Sequence, residues 1–146
     1  MATFQPRICY DNLSAAAEFL ERAFGFEPAM IATRDGEVIS AELAFGDSKV
    51  QLGGAWENIK PPSALDGANT QRLYVELKGG VDAHCERARA SGAVILQQPT
   101  DMFHGDCTYR ALDPQGHMWI FGQKIRDVTN AELEAAVPGM KIAKRG

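Results

Sequence analysis

Apolar and polar positions follow the same order twice along the chain. Residues 4–10, FQPRICY, alternate with the two-residue period of a strand. In the next stretch, DNLSAAAEFLERAFGF, Leu13, Ala17, Leu20 and Phe24 recur at helical spacing. Asn12 or Ser14 can cap the first turn of that helix, and Gly25 stops it. PAMIAT, VISAELAF and KVQLGG then read as three strands separated by the turns RDGE and GDS. The pattern thus predicts strand, helix and three strands over residues 4–54.

Residues 55–71 break the pattern with Pro61, Pro62, Gly67 and polar side chains, which predicts a linker or exposed loop. The order restarts at residue 72. RLYVELK is a strand, and VDAHCERARASG is a helix opened by Asp82 and stopped by Gly92. AVILQQ, CTYRAL and HMWIFGQ are strands, with PTDMFHGD expected as a loop and DPQG as a turn. An offset of 67 aligns Gly25 with Gly92 and Ala44 with Ala111, and an offset of 69 matches Gln51 to Ile120. A period this long indicates two duplicated modules packed together, 4–54 and 72–123. The tail, 124–146, holds a short helix announced by the capping box of Thr129 and Glu132 and ended by Pro138 and Gly139.

Composition narrows the class. A chain of 146 residues suits one domain of two modules, and at that length folding hides about 68–70% of the unfolded surface without help from disulfides or metal. The net charge of −4, with no basic stripe interleaved with aromatics, argues against a nucleic-acid partner. Cys9, Cys85 and Cys107 are odd in number and widely spaced, which fits buried thiols in a reducing compartment. No apolar run is long enough to span a bilayer, and the N-terminus lacks the pattern of an export signal, so a cytoplasmic location and no membrane partner are expected.

DNLSAAAEFLERAFGFE and SAELAFGDSKVQLGG in the first module resemble the vicinal oxygen chelate superfamily, the glyoxalase, bleomycin-resistance and extradiol dioxygenase group. So do VDAHCERARASGA and GDCTYRALDPQGHMWIFGQ in the second. The resemblance covers residues 4–123 and lies closest to the glyoxalase-like branch. It implies an α+β fold in which two βαβββ modules curl their sheets into a cup, helices on the convex side. In catalytic relatives, four strand positions hold one divalent metal through histidine, glutamate or glutamine, and the metal polarises a substrate oxygen or activates water.

Strand alternation places the residues of this chain on those positions. With Ile8 and Tyr10 toward the helix, Gln5, Arg7 and Cys9 face the cup, and Gln5 falls on the first ligand position. Val50 and Leu52 leave Gln51 on the second. Leu73, Val75 and Leu77 leave Arg72, Tyr74 and Glu76 inward, with Arg72 where the metal enzymes place histidine; a one-residue slip of that strand would exchange Arg72 for Leu73. Trp119 and Phe121 suit the helix side, so Ile120 stands on the final position beside Met118. Two neutral amides, a cation and an aliphatic chain are a poor donor set for a dication, and no cofactor is expected. His84 is expected at the surface or packing from its helix, His117 exposed or bonded to backbone at a strand start, and His104 bordering the cup mouth as a candidate general base or ligand contact.

The residues support two kinds of function. One is a metal-free binding module, in which Gln5, Arg7, Gln51, Arg72, Tyr74, Glu76, His104, Met118 and Ile120 hold a small organic molecule with an apolar body and an anionic or carbonyl head. The other is a metal-dependent lyase, isomerase or dioxygenase of the glyoxalase type. A homodimer is expected in either case, because cups of this type are commonly completed across a two-fold axis.

Overall fold

The structure is a computed structural model that describes residues 2–143. In β1 (Arg7–Tyr10) the side chains of Ile8 and Tyr10 are buried. The Asn12 side chain then accepts from the Ala15 amide, turning the chain into α1 (Leu13–Phe19) within two residues. This helix widens into a π-helical turn (Leu20–Phe24) and ends at Gly25, whose φ of 83° suits glycine because it lacks a Cβ. β2 (Glu27–Arg34), β3 (Glu37–Phe45) and β4 (Ser48–Gly54) complete a sheet of order β1-β4-β3-β2, with β1 parallel to β4.

The second module repeats the plan: β5 (Arg72–Leu77), α2 (Val81–Ala90), β6 (Val94–Asp101), β7 (Asp106–Leu112) and β8 (Met118–Lys124). Its sheet has the order β5-β8-β7-β6, again with a parallel outer pair, β5 and β8. The α+β fold of two βαβββ modules is therefore as the sequence implied. α3 (Asn130–Ala136) closes the chain behind the predicted capping box of Thr129 and Glu132.

Several boundaries differ from the sequence reading, each for a local reason. β1 starts at Arg7, although the Gln51 amide donates to the Pro6 carbonyl at 2.9 Å and carries the ladder one residue further. β6 runs on through Pro99 to Asp101, over residues expected as loop. It is the outermost strand of its sheet, where a proline need not supply an N–H. The linker is ordered in part: Trp56 and Ile59 exchange backbone hydrogen bonds, and Pro62–Ala64 forms a 3₁₀ turn.

The module alignment also needs one correction. Arg7 and Tyr74 are equivalent, each opposite the Gln51 or Ile120 position, and Glu42 is equivalent to Arg110. The offset thus grows from 67 on the first strand to 68 on β3 and β7 and 69 on β4 and β8. Ala111 is equivalent to Leu43 rather than to Ala44. Module two has one extra residue before β7 and another in the turn before β8.

One core serves both modules. Phe24, at the end of the first helix, packs its ring 5.5 Å from Trp119 and 4.7 Å from Phe121 of β8, and all three are fully buried. Burial of each such side chain contributes about 1.5–3 kcal/mol. Polar bonds fix the docking. Arg87 of α2 donates through Nε to the Arg22 carbonyl at 2.8 Å and through Nη2 to the Glu21 carbonyl at 3.0 Å, satisfying carbonyls in the last turn of the first helix. Asp113, in the turn before β8, is 3% exposed. Its Oδ2 accepts from Tyr10 Oη at 2.6 Å and Trp119 Nε1 at 3.1 Å, while its Oδ1 accepts from the amides of Gln115 and His117.

Candidate functional site

Each sheet has one face against its helix and one turned away. In module one Ile8, Leu43, Val50 and Leu52 are buried on the helix side, so Arg7, Gln51 and Glu42 form a row across the open face of β1, β4 and β3. Arg7 Nη1 donates to Gln51 Oε1 at 3.0 Å, and Gln51 Nε2 donates to Gln5 Oε1 at 2.9 Å. The guanidinium lies against Gly53, where a Cβ would stand 2.8 Å from Nη2 and would push it aside. Lys49 and Glu42 pair beside this chain at 3.2 Å. Cys9 is also on this face, and partial burial together with Asp11 raises its thiol above the usual range.

In module two Tyr109, Ala111, Trp119 and Phe121 are wholly buried, and the residues between them face away from the helix. Register places Arg72, Met118, Leu112 and Val94 in one row, and Tyr74, Ile120 and Arg110 in the next. Leu73, Val75 and Leu77 are the half-buried positions of β5, so the strand has not slipped and Arg72 faces away from the core. Tyr74 crosses over Gly122, whose missing Cβ makes room for the phenol, and donates to Asp106 Oδ2 at 2.5 Å. Burial first, then the bond to Asp106, pushes the phenol well above its ordinary titration range. Its proton is held by a carboxylate, so Tyr74 offers a ligand its oxygen lone pair and ring rather than an acidic hydrogen.

Asp106 and Arg110 were missed in the sequence reading. The signal was there: in DCTYRAL, Asp106, Arg110 and Leu112 alternate with the buried Cys107, Tyr109 and Ala111, although Thr108 is buried as well. The four ligand positions of the resemblance drew attention to β1, β4, β5 and β8 and away from β7.

The candidates fall into groups. Gln5, Arg7 and Gln51 are joined by hydrogen bonds. Arg72, Tyr74, Met118 and Ile120 share the open face of module two. A cleft of about 1300 Å³ runs along the free edge of β5 and brings Gln5 together with Tyr74 and Glu76, over an apolar floor that includes Phe26, Phe45 and Leu73. The two sheets are not hydrogen-bonded to each other, and no hydrogen bond among the described residues joins Gln5 or Gln51 to Arg72. His104 is exposed at the β6–β7 turn, edge-on to Phe103.

The other histidines are structural. His117 Nε2 lies 2.6 Å from the Cys9 carbonyl, and His84 bridges the Tyr109 hydroxyl and the Phe24 carbonyl. Burial, with a smaller contribution from Arg87, lowers the His84 titration below its ordinary value; the bond to Phe24 opposes the shift.

The donors at the four metal positions can be tested on this geometry. Gln51 Oε1 is taken by Arg7, and Gln5 Oε1 is taken by Gln51. Arg72 carries a positive charge and Ile120 offers no lone pair. Among the described residues no group of three or more His, Cys, Asp or Glu side chains is placed to hold a metal ion. No helix among them is long and apolar enough to cross a membrane.

Comparison with known proteins places this geometry in a family. The model described as Glyoxalase/Bleomycin resistance protein/Dioxygenase superfamily matches residues 3–121. The uncharacterized protein Mb0911c of Mycobacterium bovis is 30% identical over 139 residues, which cover 90% of each chain. The uncharacterized protein Rv0887c of Mycobacterium tuberculosis is 30% identical over 139 residues, 90% of this chain and 80% of that one. Among solved structures, TioX from Micromonospora sp. ML1 is similar with a TM-score of 0.68 at 26% identity, over 88% of this chain and 100% of TioX. A glyoxalase-related enzyme from Fulvimarina pelagi shares the fold, with a TM-score of 0.63 at 16% identity, over 85% of this chain and 88% of that one. Two βαβββ modules and a family model matching most of the chain lead to one conclusion: this protein belongs to the glyoxalase, bleomycin resistance protein and dioxygenase superfamily.

Proposed function

We propose that this protein is a metal-free receptor for a small organic molecule with an anionic or carbonyl head, bound on the open faces of its sheets in a cytoplasmic homodimer. One observation carries the reading. The two amide oxygens at the metal positions of module one are already accepting hydrogen bonds within the Arg7–Gln51–Gln5 chain. Binding a dication there would break both bonds and set the ion beside the guanidinium, a repulsion that nearby carboxylates would have to offset. The arginines of the open faces suit recognition of an organic anion instead, since their donors form charge-assisted hydrogen bonds. The free edge of β5 and its adjoining cleft support a partner subunit, because unpaired edges favour further strand or chain contacts.

Elemental analysis of the purified, dialysed protein, together with thermal shifts, tests the reading. The expected result is no stoichiometric nickel, zinc, iron or manganese, no thermal shift with these ions, and an upward shift with organic acids that prefer the folded state. About one equivalent of metal that is lost on replacing Gln5 and Gln51 with alanine would overturn it. Sedimentation is expected to give a dimer at micromolar concentration.

A further inference from the structure

The two modules carry different chemistry at equivalent positions. In module one the row holding Gln51 also holds Arg7 and Glu42, with Lys49 one step along β4. These side chains satisfy one another: Lys49 pairs with Glu42 and Arg7 bonds Gln51. At the equivalent places in module two stand Ile120 for Gln51, Arg110 for Glu42, Met118 for Lys49 and Arg72 for Gln5. The aliphatic chains of Met118 and Ile120 cannot neutralise a cation. Among the described residues neither Arg72 nor Arg110 has an ion-pair partner, nor has Arg7, whose guanidinium bonds the Gln51 amide instead. The row continues through Leu112 to Val94, which is 56% exposed on the outermost strand.

We infer that module two's open face is the ligand-reading surface: an apolar, flat organic body lies along Met118, Leu112, Val94 and Ile120, and its single negative charge is held by Arg110 and Arg72. This rests on the receptor reading above and adds the ligand class and the module that recognises it. Strands lie about 4.8 Å apart, so the row from Arg72 to Val94 spans roughly 14 Å, enough for a fused aromatic ring system with a substituent. Arg110 rises from the next row, so the two guanidinium groups approach such a body from different sides. Their planar forks match a carboxylate or sulfonate, and burial of the ring against the aliphatic chains supplies the apolar part of the affinity. Module one, where Lys49 is paired with Glu42 and the Arg7 guanidinium is engaged by the Gln51 amide, contributes the frame rather than the anion site.

Two dyes that share one apolar body separate the parts: anilinonaphthalene sulfonate, which carries the anion, and phenylnaphthylamine, which lacks it. Fluorescence titration of the full chain is expected to show the sulfonate binding about tenfold or more tightly than the neutral dye, as charge-assisted bonds require. Arg110→Gln should remove most of that preference and leave the neutral dye's affinity unaltered, with Arg110→Lys recovering part of it. Met118→Glu should weaken both dyes. Circular dichroism and a melting curve on each variant confirm that it is folded. A preference that survives Arg110→Gln and Arg72→Gln but falls with Arg7→Gln would overturn the inference and leave the receptor reading standing. No response to either dye would overturn the inference; the receptor reading would then rest on the metal and organic-acid shifts alone.

Discussion

Asp113 ties the turn before β8 to β1, and its removal has a computable cost. The carboxylate accepts four hydrogen bonds: Tyr10 Oη, Trp119 Nε1 and the amides of Gln115 and His117. Only Tyr10 belongs to the first module, so this bond ties the β7–β8 turn to β1. A hydrogen bond to a charged group contributes about 1.5–3 kcal/mol, and a buried donor left without its acceptor costs about 1–3 kcal/mol. Asp113→Asn keeps Oδ1 for the two backbone amides but sets an NH₂ where two donors point. The Tyr10 hydroxyl can rotate and accept; the Trp119 indole cannot, so about 2–3 kcal/mol should be lost. Asp113→Ala removes every acceptor and should cost about 4–5 kcal/mol, or roughly 8–20 °C in Tm for a domain of this size. The assay is urea unfolding followed by far-UV circular dichroism and by the fluorescence of Trp119, which is buried while Trp56 is 62% exposed. In a double-mutant cycle, Tyr10→Phe should couple to Asp113→Ala by about 1–2 kcal/mol. A loss below about 1 kcal/mol for Asp113→Ala, or strict additivity with Tyr10→Phe, would refute the claim that this carboxylate holds the modules together.

Further outcomes follow from the same geometry. Because His84 titrates lower when folded than the ordinary 6.5 or so, the unfolded chain takes up its proton first, and the stability contributed by the neutral ring is full above about pH 6.5 and is lost as pH falls toward the folded value. Urea midpoints measured between pH 7.5 and 5.5 should show this loss, and His84→Gln should reduce the slope. Burial raises the thiols of Cys85 and Cys107, so a thiol reagent at neutral pH should modify them at the rate of unfolding rather than of direct attack. Gly122→Ala should cost about 1–3 kcal/mol by displacing Tyr74, and much less in a Tyr74→Ala background; equal costs in both would show that the phenol does not lie over that glycine. Thr129→Ala removes the capping box and should fray α3, read as faster amide exchange there, while leaving the global melting point within about 1 °C because no residue of that helix is buried.

The fold was legible because burial leaves a period in the sequence. Ile8, Val50, Leu52, Trp119 and Phe121 were each assigned to the helix side from alternation alone, and all are buried. Gly25 and Gly92 both stop their helices with positive φ, as their positions implied. Where the reading slipped, the cause was local freedom that alternation does not record. Pro99 permits β6 to continue because that strand is at an edge, while an extra residue at the β6 bulge between Gln97 and Thr100 and another in the turn before β8 shift the module alignment. The candidate site was legible strand by strand. The alternation of β5 named Arg72, Tyr74 and Glu76, and that of β7 held Arg110 and Asp106 for a reading that had asked.

By itself the sequence determined the element order, the duplication and the face on which each side chain lies, because these depend on neighbours two to four positions away. Only the tertiary structure decided who meets whom across long separations. Asp113 clamps Tyr10 over 103 positions, Arg7 reaches Gln51 over 44, and Tyr74 reaches Asp106 over 32. Such pairs are set by sheet register and module docking. A hydrogen bond that closes a long loop leaves no periodic mark along the chain, only a polar residue whose partner is chosen by the fold.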